Sequence, residues 1–173
     1  MDDFDETIRL LPELTVAYLI RSQIHAFLGQ AEKALNDLNV VLDIEPSNIV
    51  ALLERGSIYA ALGNWNQVVK DSTAVIEQDK ENVQAWGMRA VANQNIANYK
   101  QALEDWNQVE RLKGPSLEIF ANRGNILFNQ GNIDAAANEW TKAIEMDKEQ
   151  AFLYANRGIA YGRLGKLDLA ISD

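Results

Sequence analysis

The sequence predicts an all-α chain, a stack of antiparallel helix pairs with no sheet. Three observations predict it. Small residues recur at one fixed spacing along the whole 173-residue chain. Between them, apolar residues return at helical spacing on two successive segments per repeat. Proline is scarce, with three residues in all against ten glycines, a composition that leaves long helices uninterrupted.

The small residues set the register. Gly29, Gly63, Gly131 and Gly165 stand on one ladder, with Ala97 on its remaining rung. Ser22, Gly56, Ala90, Gly124 and Gly158 form a second, and Ala34, Val68, Ala102, Ala136 and Ala170 a third. The first ladder falls between the two helical segments of a repeat, where glycine supplies the left-handed backbone that ends a helix. The other two place small side chains where paired helices approach. One hairpin cannot bury its apolar face alone, so neighbours must stack.

Each repeat resembles the tetratricopeptide motif, W-x2-L-G-x2-Y, then A-x3-F, then P. The first full unit, 15–48, has Tyr18, Ser22, His25, Ala34, Leu38 and Pro46 in those places. Unit 49–82 has Leu52, Gly56, Tyr59, Val68 and Ser72. Unit 83–116 has Trp86, Ala90, Asn93, Ala102 and Trp106, with Pro115 one place late. Unit 117–150 has Phe120, Gly124, Leu127, Ala136 and Trp140. Segment 151–173 supplies Tyr154, Gly158, Tyr161 and Ala170, and segment 1–14 fits the second half of an earlier unit through Phe4 and Pro12. The resemblance implies a right-handed superhelical solenoid of antiparallel helix pairs, one array over 1–173 with four full units and a half unit at each end. The spellings Glu54-Arg55-Gly56 and Asn122-Arg123-Gly124 resemble bacterial, cyanobacterial and plastid arrays of this family.

One place departs from the motif. Its usual leucine is arginine in every unit: Arg21, Arg55, Arg89, Arg123 and Arg157. Sixteen places on stand Asp37, Asp71, Asp105, Glu139 and Asp173. Folding the second helix back across the turn brings the two places together, so the arginines are expected in ion pairs and not in an anion-binding track.

The working surface is read from what the core leaves over. On a wheel of about 100° per residue, the tryptophans and tyrosines take core places. Phe27, Phe128 and Phe152 fall on the opposite side of the first helices, the side that lines the concave groove in the resembled family. Val16, Leu19, Val50 and Leu53 make the early part of that face apolar. Gln23, Gln84, Gln94, Asn95, Asn125 and Asn129 add amides that both donate and accept. The expected activity is a protein–protein interaction scaffold or adaptor that takes a peptide or helical segment of a partner protein in this groove. The alternatives are a regulatory or substrate-presenting arm of a larger enzyme, or a self-assembling structural module. A subset of the family grips chaperone carboxylate tails with groove lysines and asparagines, and no lysine occurs on this face.

Composition narrows the classes. With no cysteine and one histidine, thiolate and multi-histidine metal sites are excluded. A net charge of −9 disfavours nucleic acid. No phosphate-cradling or nucleophile-elbow motif occurs, so the chain reads as a non-enzyme without a cofactor. His25 reads as a packed residue. No apolar run is long enough to span a bilayer, and the acidic N-terminal residues are unlike a secretory signal. The expected place is therefore the cytoplasm or another non-secreted compartment. The half units at both ends are expected to be the edges of a longer array, with head-to-tail self-association through them as a further alternative.

Overall fold

A computed structural model describes residues 2–173. It contains eleven helices among these residues: α1 Asp2–Leu10, α2 Thr15–Phe27, α3 Ala31–Ile44, α4 Ile49–Ala61, α5 Trp65–Gln78, α6 Val83–Asn95, α7 Tyr99–Lys113, α8 Leu117–Asn129, α9 Ile133–Met146, α10 Ala151–Arg163 and α11 Leu167–Ser172. No strand occurs among the described residues. The first helices of the repeats are thus α2, α4, α6, α8 and α10, and the second helices are α3, α5, α7, α9 and α11. The chain divides into two compact units, one ending at Ala92 and one running from Asn93 to Asp173.

The turn ladder is explained by backbone geometry. Gly29, Gly63, Gly131 and Gly165 have φ of 71°, 73°, 82° and 71°. Ala97 takes the same left-handed conformation with φ 59°, the lone non-glycine to do so among the described residues. Its Cβ makes that conformation costly. The late Pro115 also has a structural counterpart. Helix α7 has 15 residues where α3, α5 and α9 have 14, and Gly114 ends it at φ 85°. The starts of three first helices are fixed by side-chain caps. Asn48, Asn82 and Ser116, at the same place in successive repeats, accept from the backbone N–H of Ala51, Ala85 and Ile119. Each cap satisfies a donor that the helix leaves orphaned.

In the first unit, Tyr18, Leu38, Val41, Leu42, Leu52, Val75 and Ile76 form one buried cluster with Ala51 and Ala85. In the second, Phe120, Trp140, Ile144 and Leu153 pack with Ala121, Ala136, Ala137, Ala143 and Ala160. The alanines leave room for the bulky indole. The small-residue ladder decides how closely helices meet. A Cβ built on Gly124 would lie 2.5 Å from Trp140 Nε1, so the indole lies directly against the backbone of α8. At Gly56 the nearest atom to such a Cβ is Met88 Cε at 2.8 Å, the end of a flexible side chain.

Candidate functional site

The arginine ladder is committed to structure. Arg55 donates from Nε and Nη2 to the two carboxylate oxygens of Asp71, at 2.9 and 2.7 Å. Its Nη1 donates to Asn39 Oδ1 at 2.7 Å. Arg21 does the same with Asp37 on α3 and Asp5 on α1. Arg157 grips Asp173 and reaches Thr141, while Arg123 reaches Glu139, Asn107 and Glu110. Each of these guanidinium groups therefore joins three helices: its own, the second helix before it and the second helix after it. The upstream acceptors, Asp5, Asn39, Thr73, Asn107 and Thr141, themselves recur once per repeat, and Arg89 donates to Thr73. Hydrogen bonding to Asp37, Asp71 and Asp173 raises the pKa of Arg21, Arg55 and Arg157, against an opposing push from burial. An aromatic ring three places upstream (Tyr18, Trp86, Phe120, Tyr154) lies under four of the five guanidiniums. This leaves no free anion track on the ladder.

The first helices enclose two cavities, one in each compact unit. The cavity of the first unit has about 490 Å³ and is built by α2, α4 and α6. Ser22, Gln23 and Ala26 come from α2; Val50, Leu53, Glu54, Ser57 and Ile58 from α4; and Gln84 from α6. Here Gln23, Val50, Leu53 and Gln84, all groove residues in the sequence reading, meet. Both hydroxyls are spent on backbone, Ser22 Oγ donating to Leu19 O at 2.7 Å and Ser57 Oγ to Leu53 O at 2.9 Å. Gln23 Nε2 donates to Glu54 Oε1 at 2.5 Å.

The second unit holds a cavity of about 270 Å³ lined by Gln94, Asn125, Phe128, Asn129, Trp140, Asn156 and Ile159. It gathers four more of the residues read from sequence: Gln94, Asn125, Phe128 and Asn129. Phe128 is not spare as the wheel implies. It is half-buried, packs on Trp140 with ring centroids 5.6 Å apart, and carries the Arg163 guanidinium 4.2 Å from its ring centre. Phe27 and Phe152 line neither cavity and stand 91 % and 48 % exposed. Leu19 packs partly against the core of the first unit, and Asn95 is exposed at the end of α6. Glu54 and Asn156 are cavity residues that the sequence reading does not single out. Their signal is available, since each lies on a first helix at a groove-facing position.

A third cavity, of about 620 Å³, lies between α1, α2 and α3 around Asp5, Arg21, His25 and Asp37. His25 is buried there, its Nδ1 2.8 Å from Gln30 Oε1. An amide oxygen only accepts, so Nδ1 is the protonated nitrogen in this pairing. Among the described residues no cluster of three or more His, Asp or Glu could hold a metal ion, and no helix is long and apolar enough to cross a membrane.

With the hairpins, the turn ladder and the buried alanine and glycine places in view, a family model described as TPR repeat matches residues 124–165. That segment is a tetratricopeptide repeat, and the helix pairs on either side of it have the same form. Solved structures repeat the fold over nearly its whole length. A MamA protein superposes with a TM-score of 0.88 at 22 % identity, covering 94 % of this chain and 88 % of that one. YrrB, described as a TPR protein with an unusual peptide-binding site, superposes at 0.82 with 20 % identity, covering 98 % and 87 %. A tetratricopeptide repeat protein from Parabacteroides merdae gives 0.85 at 20 % identity, covering 99 % and 68 %. At these identities the likeness establishes the all-α helical-repeat fold. No curated protein sequence matches the chain significantly.

Proposed function

We propose that this tetratricopeptide chain is a protein–protein interaction scaffold that seats a peptide or helical segment of a partner protein against its first helices. The observation that carries the reading is the cavity of the first unit. Three successive first helices build it from apolar walls, Val50, Leu53 and Ile58, with amides at its edges, Gln23 and Gln84. Apolar pockets fix which side chains enter, and amides meet a peptide backbone from either its N–H or its C=O side. The cavity of the second unit, with the amides of Asn125, Asn129 and Asn156, offers the same backbone chemistry. The peptide-binding site named for YrrB belongs to that protein, and it lends the reading a precedent on the same fold.

The test is affinity capture with the intact chain and two variants, Gln23→Ala/Leu53→Ala for the first cavity and Asn125→Ala/Asn129→Ala for the second. Phe128 is left in place because its ring packs on Trp140. A partner lost by either variant, and kept by a variant of the exposed Lys33, supports the scaffold reading. Identical partners for wild type and both cavity variants would refute it.

A further inference from the structure

We infer that the cavity of the first unit selects a peptide segment bearing a lysine or arginine next to an apolar residue, with Glu54 as the group that takes the cation. This rests on the scaffold reading and specifies its partner.

The argument starts from the charge inventory of the cavity. Glu54 is the one ionisable side chain among its lining residues. A carboxylate offers about four acceptor positions. Glu54 Oε1 takes the Gln23 amide at 2.5 Å. Its Oε2 lies 3.4 Å from Ser22 Oγ, but that hydroxyl has a single proton and holds it on Leu19 O at 2.7 Å. The second oxygen is thus poorly served. The neighbouring cations are engaged elsewhere. Arg55, next in sequence, points to Asp71 and Asn39, and Arg21 is held by Asp37 and Asp5.

The surroundings favour a long basic side chain over a free ion. Val50 and Leu53 lie within one turn of Glu54 on α4, and Ala26 and Ile58 complete the apolar wall. Lysine and arginine carry an alkyl stem that packs on such a wall while the head remains polar. A stem on Leu53 and a head on Glu54 would use both features at once. The half-buried position of Glu54 strengthens the attraction relative to bulk water, and Gln23 already fixes the carboxylate rotamer, so little is lost in ordering it. An acidic segment would meet repulsion at the same point.

The experiment pans a phage-displayed library of random dodecapeptides against the intact chain and against Glu54→Gln, which keeps shape and an acceptor for Gln23 but removes the charge. The wild type should enrich lysine or arginine beside an apolar residue, and Glu54→Gln should lose the basic preference. Synthetic copies of the selected peptides should bind Glu54→Gln about tenfold more weakly at low salt, with the gap narrowing as salt rises. Replacing the basic residue by norleucine should give the same loss in wild type and no further loss in Glu54→Gln. Selected peptides that depend on Gln23 and Leu53 yet show no basic preference would overturn the cation subsite and leave the scaffold reading standing. Peptides indifferent to Gln23→Ala/Leu53→Ala would overturn the cation subsite; no enrichment at all, or peptides indifferent to Asn125→Ala/Asn129→Ala as well, would overturn both. Circular dichroism melts establish that Glu54→Gln folds as the wild type does.

Discussion

Truncating Arg55 to alanine is expected to destabilise the first unit by about 2–4 kcal/mol, toward the lower end of what breaking a buried ion pair costs. The figure follows from what the truncation strands. Asp71 is 1 % exposed and receives two of its hydrogen bonds from this guanidinium. Breaking a buried ion pair from one side costs roughly 3–5 kcal/mol, because the other charge remains without compensation. Arg55 itself is 17 % exposed, so water can reach the space it vacates, which lowers the expectation. Asn39 also loses its partner. Arg55→Met/Asp71→Leu should lose markedly less than the two single substitutions added together, with a coupling of about 1–3 kcal/mol. Urea unfolding provides the assay, followed by far-ultraviolet dichroism and by tryptophan fluorescence. Repeat arrays can unfold in parts, so both probes are needed before a free energy is assigned. A loss for Arg55→Ala no larger than an exposed-surface substitution, about 0.5 kcal/mol, or strict additivity in the cycle, would refute the view of the ladder as a structural brace.

Other expectations follow from the same geometry. Gly124→Ala should cost about 1–3 kcal/mol in thermal or urea melts, because its methyl group meets a rigid indole at 2.5–2.9 Å; Gly56→Ala should be close to neutral, since Met88 Cε can swing away. Ala97→Gly should raise stability by about 0.5–1 kcal/mol, as relief of the left-handed alanine outweighs the entropy glycine adds to the unfolded chain. Glu45 accepts from Thr15 Oγ1 and Asn48 Nδ2, and these bonds, Thr15 first, lower its pKa. The stability it adds is therefore present above its unfolded pKa and lost as pH falls through the lower folded one; an NMR titration should place Glu45 below the usual carboxylate range and Thr15→Val should return it toward that range.

The parts of the fold legible in sequence are those in which one position carries one physical role in every repeat. Glycine or its substitute at the turn and small residues at the crossings meet that condition, as does arginine with its downstream acid at Arg21, Arg55, Arg123 and Arg157. The upstream acceptors do not, although Asp5, Asn39, Thr73, Asn107 and Thr141 keep the same period, because three residue types share the role and only their accepting oxygen is common. The caps Asn48, Asn82 and Ser116 are obscured in the same way. Phe128 escapes the wheel for a different reason. A helical wheel places residues on one helix, whereas this ring is claimed by Trp140 on the next, a side chain large enough to reach round the edge of the pair. The cavities need three helices at once. Gln23, Leu53 and Gln84 can therefore be named one by one from sequence, and Glu54, although it shares their groove-facing side, stands out only once the three helices bring them together.

The offsets within the ladder carry a rule about growth. Arg21, Arg55, Arg123 and Arg157 each reach sixteen places back and sixteen ahead along the chain, so they recognise positions relative to themselves. On α3, α5 and α9 the two kinds of acceptor stand two residues apart and face different neighbours: on α3, Asp37 answers Arg21 and Asn39 answers Arg55. Copying or excising one whole repeat therefore returns these guanidiniums to an oxygen of the right kind. A block of any other length strands a charge at its seam. The brace thus favours chains that differ in length by whole repeats and penalises every intermediate length.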